Sequence, residues 1–270
     1  MFSVILCNPP YQGTNATTNK THSLWKKFIK KSKAYSETLL FVAPDTAISN
    51  KGSVKLLKNG GSLSHYKFLG RKHFNVGVNT AHWMWIKDWA DDCNVELECG
   101  AIIKINKDLI GKLPSSNITP LSVSIQKKIL DCSNKLTPKQ SKIFHSDLQK
   151  YGKHKVLNTT AQGIVNSIKE PVDANDIKVM FSNTGEYKPF LDERNCGTCW
   201  HSYSYKVDSK EEAQALLKYF QSSLIVYFNK INREGGFTRK LFADNIPNLK
   251  TYKDLDLTDE EIGEIKICSQ

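Results

Sequence analysis

The sequence predicts an α/β fold, with a partial doubly wound sheet in the first part of the chain and a second, α+β region after it. Two continuous apolar runs near the start, Val4–Cys7 and Glu37–Pro44, have the pattern of buried parallel strands, the second covered on both sides. Each run is followed by a segment with helical periodicity, which is the alternation expected of a doubly wound sheet. After about residue 110 the pattern changes to short strands and longer helices, and this change predicts the second region.

The first run ends in an abrupt turn, Asn8–Tyr11, that delivers a carboxamide to the carboxyl end of the strand. Open α/β sheets place their binding sites at that end. Asn8 offers both a donor and an acceptor, and the prolines remove backbone donors while leaving carbonyls free. A planar ligand with an exocyclic amine fits, because the amine can donate to Asn8 and to the Pro9 carbonyl while Tyr11 stacks on the ring. An ordinary strand followed by a Pro-Pro turn is the alternative, and Tyr11 shifts the balance toward a site.

The same turn resembles a known catalytic motif. Asn8-Pro9-Pro10-Tyr11, after an apolar strand and before Gln12-Gly13, is similar to the motif of amino-methyltransferases that use S-adenosylmethionine. The resemblance is strongest to the adenine-N6 DNA methyltransferases of restriction-modification systems. The motif also occurs in glutamine methyltransferases that act on release factors and in guanine-N2 methyltransferases that act on RNA. The resemblance implies that Asn8, Pro9, Pro10 and Tyr11 are catalytic and that Gln12 contacts the substrate.

Composition favours a nucleic-acid partner. The chain has 270 residues, 40% of them hydrophobic and 24% charged, as in folded soluble proteins. Its formal net charge of +11 favours a polyanion, most simply double-stranded DNA, over a charged surface that serves solubility alone. The first apolar run is too short for a signal peptide, and no run approaches the roughly 18 apolar residues of a membrane span, so we expect no membrane partner.

The seven cysteines are odd in number and mostly scattered, which fits free thiols in a reducing cytoplasm. Cys196, Cys199 and His201 offer three potential zinc ligands close together. A structural zinc site needs a fourth ligand, and no second Cys-x-x-Cys pair occurs in the chain. We therefore predict a loop with two ordinary thiols and no metal.

A polar stretch, Thr14–Thr21, is predicted to be a loop, which in the resembled enzymes closes over DNA. Ser23 then has the position of an N-cap for an amphipathic helix. Basic residues surround the apolar face of this helix, and two interpretations of them stay open and equal: they follow DNA phosphates, or they form a solvated face. The candidates for DNA contact in this stretch are Lys20, Lys26, Lys27 and Lys30.

A short helix around Val54–Leu57 is predicted next, followed by strands at Tyr66–Leu69 and Thr80–Lys87. Because no helix separates these two strands, we expect an antiparallel pair at the edge of the sheet. The pair resembles the closing hairpin of the methyltransferase sheet, where an aromatic residue before a Val-Gly segment lines the pocket for the target base. Phe74 matches that place, with ordinary core packing as the alternative. A further strand is expected within 93–106.

The second region loosely resembles the target-recognition domains of restriction-modification methyltransferases. Strands are predicted at Ile177–Phe181 and Ser202–Val207, and one long helix at Ser209–Asn229. A basic segment that contains Arg239 and Lys240 adds two candidates for DNA contact. Thr258 and Glu261 form a predicted capping box near the end of the chain. The expected domains are a catalytic methyltransferase-like half (1–110), a DNA target-recognition-like region (111–250) and a C-terminal helical tail (251–270).

A complete enzyme of this family needs a glycine-rich turn after its first strand and an acidic residue after its second, to hold the cofactor. Only a few residues precede Asn8, and Gly235-Gly236 lacks a preceding apolar strand. The resemblance therefore implies that the S-adenosylmethionine pocket is incomplete and that the N-terminal, cofactor-binding half is missing. The exposed edge of Val4–Cys7 would then be covered by a second chain carrying that half, by a dimer partner or by a rearranged segment.

The leading interpretation is a site-specific adenine-N6 DNA methyltransferase, split or truncated, that needs a partner. It would transfer a methyl group from S-adenosylmethionine to an adenine flipped out of the duplex and held by Asn8, Pro9 and Tyr11, with Phe74 on its other face. Direct transfer needs no covalent nucleophile, so none is expected at Cys7. The alternative is a non-catalytic DNA-binding, anti-restriction or regulatory protein derived from the same fold. Methylation of RNA or protein ranks below both, because a long basic region suits DNA.

Overall fold

A six-stranded mixed sheet organises the first part of the chain. The computed structural model describes residues 2–14, 21–44, 51–70, 80–97, 99–114, 118–234, 236–248 and 252–269. They form two units, whose main segments are Met1–Leu113 (unit 1) and Leu121–Gln270 (unit 2). The α/β class predicted from the sequence is confirmed, with a mixed sheet, whereas the doubly wound arrangement stays a prediction.

Unit 1 contains eight described strands and two described helices. In chain order they are β1 (Ile5–Cys7), β2 (Gln12–Thr14), β3 (Thr21–Ser23), α1 (Leu24–Ser32), β4 (Thr38–Pro44), α2 (Lys51–Lys58), β5 (Gly61–Gly70), β6 (Thr80–Lys87), β7 (Cys93–Glu96) and β8 (Ile102–Ile105). The sheet has the order β1-β4-β6-β5-β7-β8, with parallel pairs β1/β4 and β5/β7. β1 lies at one end of this sheet, with β4 as its neighbour.

The two faces of this sheet differ in burial. Leu39, Phe41, Trp83 and Trp85 point to one face and are at most 2% exposed. The indole N–H of Trp85 donates to the Leu57 carbonyl of α2 at 2.7 Å, so α2 packs on this face. The other face, which we call the open face, contains Leu6 of β1 and the side chains that point the same way on the neighbouring strands. These side chains are partly or fully exposed to solvent. The open face comprises Leu6, Leu40, Val42, His65, Lys67, His82, Met84 and Glu96.

The open face corrects two sequence expectations. β4 was expected to be covered on both sides, yet Leu40 is 37% exposed. The run Val4–Cys7 was expected to be buried, but Val4 is 46% and Leu6 75% exposed, because β1 is an edge strand with one uncovered face. A continuous apolar run indicates that both faces of a strand are suited to burial. Here one of the two faces is not covered by any described residue.

The antiparallel pair predicted before residue 90 is confirmed, but it does not lie at the sheet edge. β6 inserts between β4 and β5, and β7 and β8 extend the sheet beyond β5. The single strand expected within 93–106 is instead the hairpin of β7 and β8, which turns at Gly100 with a positive φ of +84°. This left-handed conformation is favourable for glycine. It divides a segment whose apolar pattern predicts a single strand.

Lys33, which follows the last residue of α1, joins this helix to the end of α2. Its ammonium group donates to the carbonyls of Leu56, Leu57 and Asn59 at 2.6, 3.2 and 2.7 Å. It also lies 4.1 Å from the centre of a Trp85 ring. Lysine is favourable here because the last carbonyls of a helix lack intrahelical partners. Burial lowers the pKa of Lys33 to about 8.

Unit 2 combines three small sheets with five helices among its described residues. In chain order the elements are α3 (Pro120–Asp131), β9 (His154–Leu157), β10 (Ile164–Ser167), β11 (Ile177–Ser182), β12 (Phe190–Glu193), β13 (Gly197–Thr198), β14 (Ser202–Val207), α4 (Lys210–Phe220), α5 (Ser223–Ile231), β15 (Arg233–Glu234), β16 (Phe237–Thr238), α6 (Lys240–Ala243) and α7 (Asp259–Cys268). The strand orders are β10-β9-β13, β12-β11-β14 and β15-β16.

An aromatic cluster forms the core of unit 2. Phe181 on β11 lies 5.6 Å from Phe242 and 6.1 Å from Tyr205, measured between ring centres. The long helix expected at Ser209–Asn229 is two helices, α4 and α5, which separate at Gln221 and Ser222. The expected C-terminal tail contains α7, whose buried Ile265 packs in this same core.

A buried ion pair crosses the sheet of β11 and β12. The Lys178 ammonium is 2.9 Å from an Asp192 carboxylate oxygen, and both side chains are at most 3% exposed. Lys178 also donates to the backbone carbonyls of Asp173 and Asp176, at 2.8 and 3.0 Å. Every donor of this buried ammonium thus has an acceptor, which is the condition for tolerating a charge in a protein interior.

The predicted capping box at Thr258 and Glu261 is confirmed. The Glu261 carboxylate accepts from the Thr258 N–H, from the Ser124 hydroxyl and from the Lys128 ammonium, at 2.7 to 2.8 Å. Desolvation by burial raises the pKa of Glu261, but the three hydrogen bonds and the charge of Lys128 outweigh it and hold that pKa below its ordinary value of 4.5.

We expect Glu261→Gln to lower the free energy of unfolding at pH 7 by about 1–3 kcal/mol, because hydrogen bonds to the ionised carboxylate are lost. Since the folded pKa lies below the unfolded one, this stabilisation is present above about pH 5 and disappears as the pH falls through the folded pKa. Urea unfolding of both proteins at pH 7 and pH 3 checks the sign. A difference between them that persists unchanged at pH 3 would contradict the assignment.

Candidate active site

The Asn8–Tyr11 turn leaves the carboxyl end of β1 and leads into a short ribbon of β2 and β3, after which α1 begins at once. Asn8 and Pro10 are exposed, Pro9 is buried and Tyr11 is half-buried. The backbone carbonyl of Tyr11 accepts from the Leu24 N–H at 3.2 Å. This bond satisfies one of the free N–H groups at the start of α1 and holds the turn against the helix. Ser23 has the predicted N-cap position, without a side-chain capping bond.

The turn presents hydrogen-bonding groups that the described residues leave unused. Neither the Asn8 side chain nor the Pro9 carbonyl takes part in a hydrogen bond within the described parts of the chain. The two prolines restrict the backbone of the turn, which carries the exposed Asn8 carboxamide and the adjacent Pro9 carbonyl as a pair of acceptors. Such a pair suits an amino group with two hydrogens.

Burial affects the two titratable side chains that flank this pair. It raises the pKa of the Cys7 thiol, which favours the protonated form and makes a thiolate nucleophile unfavourable. It also raises the pKa of Tyr11, so this side chain is a neutral phenol at physiological pH. A neutral ring next to the acceptor pair is suited to stacking on a planar ligand.

A polar cluster on the open face was not anticipated from the sequence. Lys67 and Glu96 form an ion pair at 2.6 Å, and His65 and His82 lie 5.5 Å apart between ring centres. Burial lowers the pKa of His82, and the nearby His65 and Lys67 lower it further. The alternation of His65 and Lys67 with buried neighbours along β5 was the signal that could have placed them together on one face.

Three predicted site residues cannot be placed. Phe74 and Lys20 lie outside the described residues, and the side chain of Gln12 is likewise not described. The roles expected for them, in the base pocket, at DNA phosphates and in substrate contact, stay predictions.

The lysines of α1 occupy its outer side. Lys27 and Lys30 are exposed, and Lys26 is half-buried with its ammonium 5.5 Å from the centre of a Trp25 ring. Trp25 and Ile29 face the interior of unit 1. The helix therefore buries one side and offers positive charge on the other, which is compatible with both interpretations of these lysines.

The two basic candidates of unit 2 lie at the start of α6. Arg239 precedes the helix and is half-buried, and its backbone N–H donates to the Asn232 carbonyl. Lys240 is exposed and forms an ion pair with Asp244. Because its charge is partly neutralised within α6, Lys240 is the weaker candidate for a phosphate contact.

The cysteines near His201 have separate partners. The Cys199 thiol lies 3.1 Å from the Leu157 carbonyl, and the Cys196 thiol lies 3.5 Å from a carboxylate oxygen of Asp192. Burial raises the pKa of Cys199, and it raises that of Cys196 to about 12. Within the described residues, no group of three or more His, Cys, Asp or Glu side chains is arranged to hold a metal ion.

The described residues do not by themselves fit an S-adenosylmethionine pocket. Such a pocket needs a glycine-rich turn directly after a parallel strand. Gly236 instead lies in the turn between β15 and β16, which are short antiparallel strands. Beyond β1, no described strand extends the main sheet. We therefore assign no cofactor-binding residue among those described. None of the described helices is long and apolar enough to cross a membrane.

Comparisons with known proteins give structural similarity without sequence similarity. No protein-family model and no curated protein matches the chain. Among solved structures it is similar to the type IIL restriction-modification enzyme MmeI in complex with DNA (TM-score 0.48, 10% identity, 99% of this chain and 49% of that chain). It is also similar to the type IIG restriction endonuclease BpuSI (0.40, 12%, 98% and 49%) and to the M protein of the type I restriction enzyme EcoKI (0.29, 13%, 86% and 50%).

The chain spans about half the length of these three solved chains. With TM-scores below 0.5, the matches assign no activity.

Proposed function

We propose that this chain is the part of an adenine-N6 DNA methyltransferase that holds the target base and recognises DNA. The observation that carries the proposal is the Asn8–Tyr11 turn at the carboxyl end of β1, where an exposed carboxamide stands beside a backbone carbonyl and neither forms a hydrogen bond with the described residues. A flipped adenine would donate its two amino hydrogens to Asn8 and to the Pro9 carbonyl, and its ring would stack on Tyr11. These bonds orient the amino nitrogen and leave its lone pair free to accept a methyl group.

The charge of the protein supports DNA as the substrate. A net charge of +11 provides the attraction to phosphates on which duplex binding depends. In this proposal the exposed lysines of α1 follow the DNA backbone near the flipped base. The intact turn favours an enzyme over the non-catalytic alternative.

The edge and the open face of the sheet support a partner for unit 1. In this proposal they are covered by a polypeptide segment that carries the S-adenosylmethionine pocket, as in a doubly wound methyltransferase sheet. The apolar side chains that would be covered include Leu6 and Leu40, which are 75% and 37% exposed. An exposed edge strand with apolar side chains favours association, because its free N–H and C=O groups can pair with another strand.

We expect Leu6→Lys to weaken association with the cofactor-carrying polypeptide, because a charge would enter the covered surface. The stability of the chain itself should change by no more than about 0.5 kcal/mol, since Leu6 is exposed. The measurement is pull-down of the tagged chain from its native host, followed by calorimetric titration of the isolated complex with S-adenosylmethionine.

Ile267→Lys is the matched control, because Ile267 is 74% exposed and lies on α7 of unit 2. The control should retain both the partner and cofactor binding, and the Leu6 variant should lose both. Tight binding of S-adenosylmethionine by the purified chain alone would contradict the proposed division of labour, as would equal behaviour of the two variants.

A further inference from the structure

Unit 2 contains a groove in which four carboxamide side chains meet. The groove has a volume of about 390 Å³, and its lining includes His145, Gln149, Lys150, Asn158, Gln162 and Asn166. The residues come from three places: the segment around a 3₁₀ helix at His145–Asp147, the end of β9, and β10 with the hairpin leading into it. We call this the amide groove.

Hydrogen bonds fix the orientation of these amides. The Gln149 NH₂ donates to the Ser146 carbonyl at 3.1 Å, and the Asn166 NH₂ donates to the Lys150 carbonyl at 3.0 Å. In the described parts of the chain, the side-chain oxygens of Gln149 and Asn166 receive no hydrogen bond. The groove therefore holds two amide acceptors in fixed positions.

Gln162 has the opposite polarity. Its side-chain oxygen accepts from the NH₂ of the buried Asn158. Its own NH₂ has no acceptor among the described residues and remains available as a donor. The groove thus contains both free acceptors and a free donor, which are the group types complementary to the N6 and N7 edge of adenine.

Lys150 lines the amide groove, and three more exposed lysines lie close to it in sequence. Four exposed lysines come from one stretch of the chain, and none of them forms an ion pair with a described residue: Lys142, Lys150, Lys153 and Lys155. Tyr151 and Phe144 in the same stretch are 77% and 51% exposed. Lysines near a neutral hydrogen-bonding groove suit a nucleic acid, whose phosphates would contact the lysines and whose base edges would contact the amides.

We infer that the amide groove reads the major-groove edge of double-stranded DNA, with a preference for adenine at the contacted base pair. The inference rests on the proposed function and names residues that determine its specificity. Gln149 and Asn166 accept from exocyclic amino groups of the bases, Gln162 donates to purine N7, and Lys150 contacts a phosphate. A small anionic ligand fits less well, because the fixed acceptors at the groove would repel it.

The test begins with selection of preferred sequences from a random duplex library by the native complex. Fluorescence anisotropy then gives the dissociation constants of the selected duplex and of its single base-pair variants. Gln149→Ala and Asn166→Ala should each lose discrimination at one or two adenine-containing pairs by about 10-fold or more. Affinity for an unrelated duplex should change less than twofold. Lys150→Ala should weaken binding to all duplexes alike.

Gln140→Ala is the matched control, because the Gln140 NH₂ donates to a backbone carbonyl, that of Trp200, at 2.9 Å but lies outside the lining of the groove. It should retain full discrimination. Unchanged discrimination in the Gln149 and Asn166 variants would overturn the inference, as would equal discrimination on single-stranded RNA or duplex binding without any sequence preference. These outcomes do not contradict the proposed function. Failure of the native complex to bind any duplex would contradict both the proposed function and the inference about the amide groove.

Discussion

Replacing Asn8 with alanine should lower adenine methylation by the native complex by at least about 100-fold, the loss typical when one fixed polar group at a reacting centre is removed. The carboxamide is exposed and makes no hydrogen bond with the described residues, so its removal leaves no buried group unpaired. Duplex affinity and the free energy of unfolding should therefore stay close to those of the unmodified protein. Single-turnover methylation assays and fluorescence anisotropy measure the two effects separately.

Tyr11 supplies a control within the same turn. Tyr11→Phe keeps the ring and removes a hydroxyl that has no hydrogen-bond partner in the described residues, so activity should be largely retained. Tyr11→Ala removes the stacking surface and should lose activity in the same way as Asn8→Ala. Equal loss of methylation and duplex binding in the Asn8 variant would show that the turn is structural, and would contradict its role in holding the base.

The second large effect concerns stability. We expect Lys178→Met to lower the free energy of unfolding of unit 2 by about 3–5 kcal/mol, because the Asp192 carboxylate would stay buried without its cation. Asp192 is 3% exposed, and its carboxylate also accepts from the Asn195 N–H. It therefore cannot turn to solvent without losing this hydrogen bond at the end of β12. Urea denaturation followed by tryptophan fluorescence and far-ultraviolet circular dichroism measures the loss.

Lys188→Met is the matched control for that variant, because Lys188 pairs with Glu186 at 2.8 Å while both side chains stay more than 60% exposed. Its effect should be less than about 1 kcal/mol. The double variant Lys178→Met/Asp192→Leu should recover much of the lost stability, since no buried charge remains. A small loss in the single Lys178 variant would mean that water or a rearrangement satisfies Asp192.

Local patterns predicted much of the fold. Strand β6 covers Thr80–Lys87 as expected, because an aromatic and aliphatic run of this length has few other solutions. The Thr258–Glu261 capping box formed because both of its partners lie within one helical turn. In contrast, the separation of α4 from α5 was missed, because apolar residues continue at helical spacing across Gln221 and Ser222.

Features that depend on distant neighbours were not predictable in the same way. The position of β6 between β4 and β5 follows from pairing over the whole sheet, and the sequence pattern of each strand is the same at an edge or in the interior. The Asn8–Tyr11 turn was found because its chemistry lies in four consecutive residues. The amide groove was not, because Gln149, Gln162 and Asn166 are separated along the chain. They meet through the pairing of β9 with β10 and through the backbone bond from the Gln149 N–H to the Asn166 carbonyl.

The most direct test of the central claim is identification of the methylated nucleoside. The native complex is incubated with duplex DNA and S-adenosylmethionine that carries an isotopic label in its methyl group, and the DNA is digested and analysed by mass spectrometry. We expect labelled N6-methyldeoxyadenosine with the unmodified chain and none above background with Asn8→Ala. Label in another nucleoside, equal label with both proteins, or duplex binding with no transfer at all would contradict the claim, and the last result would favour the non-catalytic DNA-binding alternative.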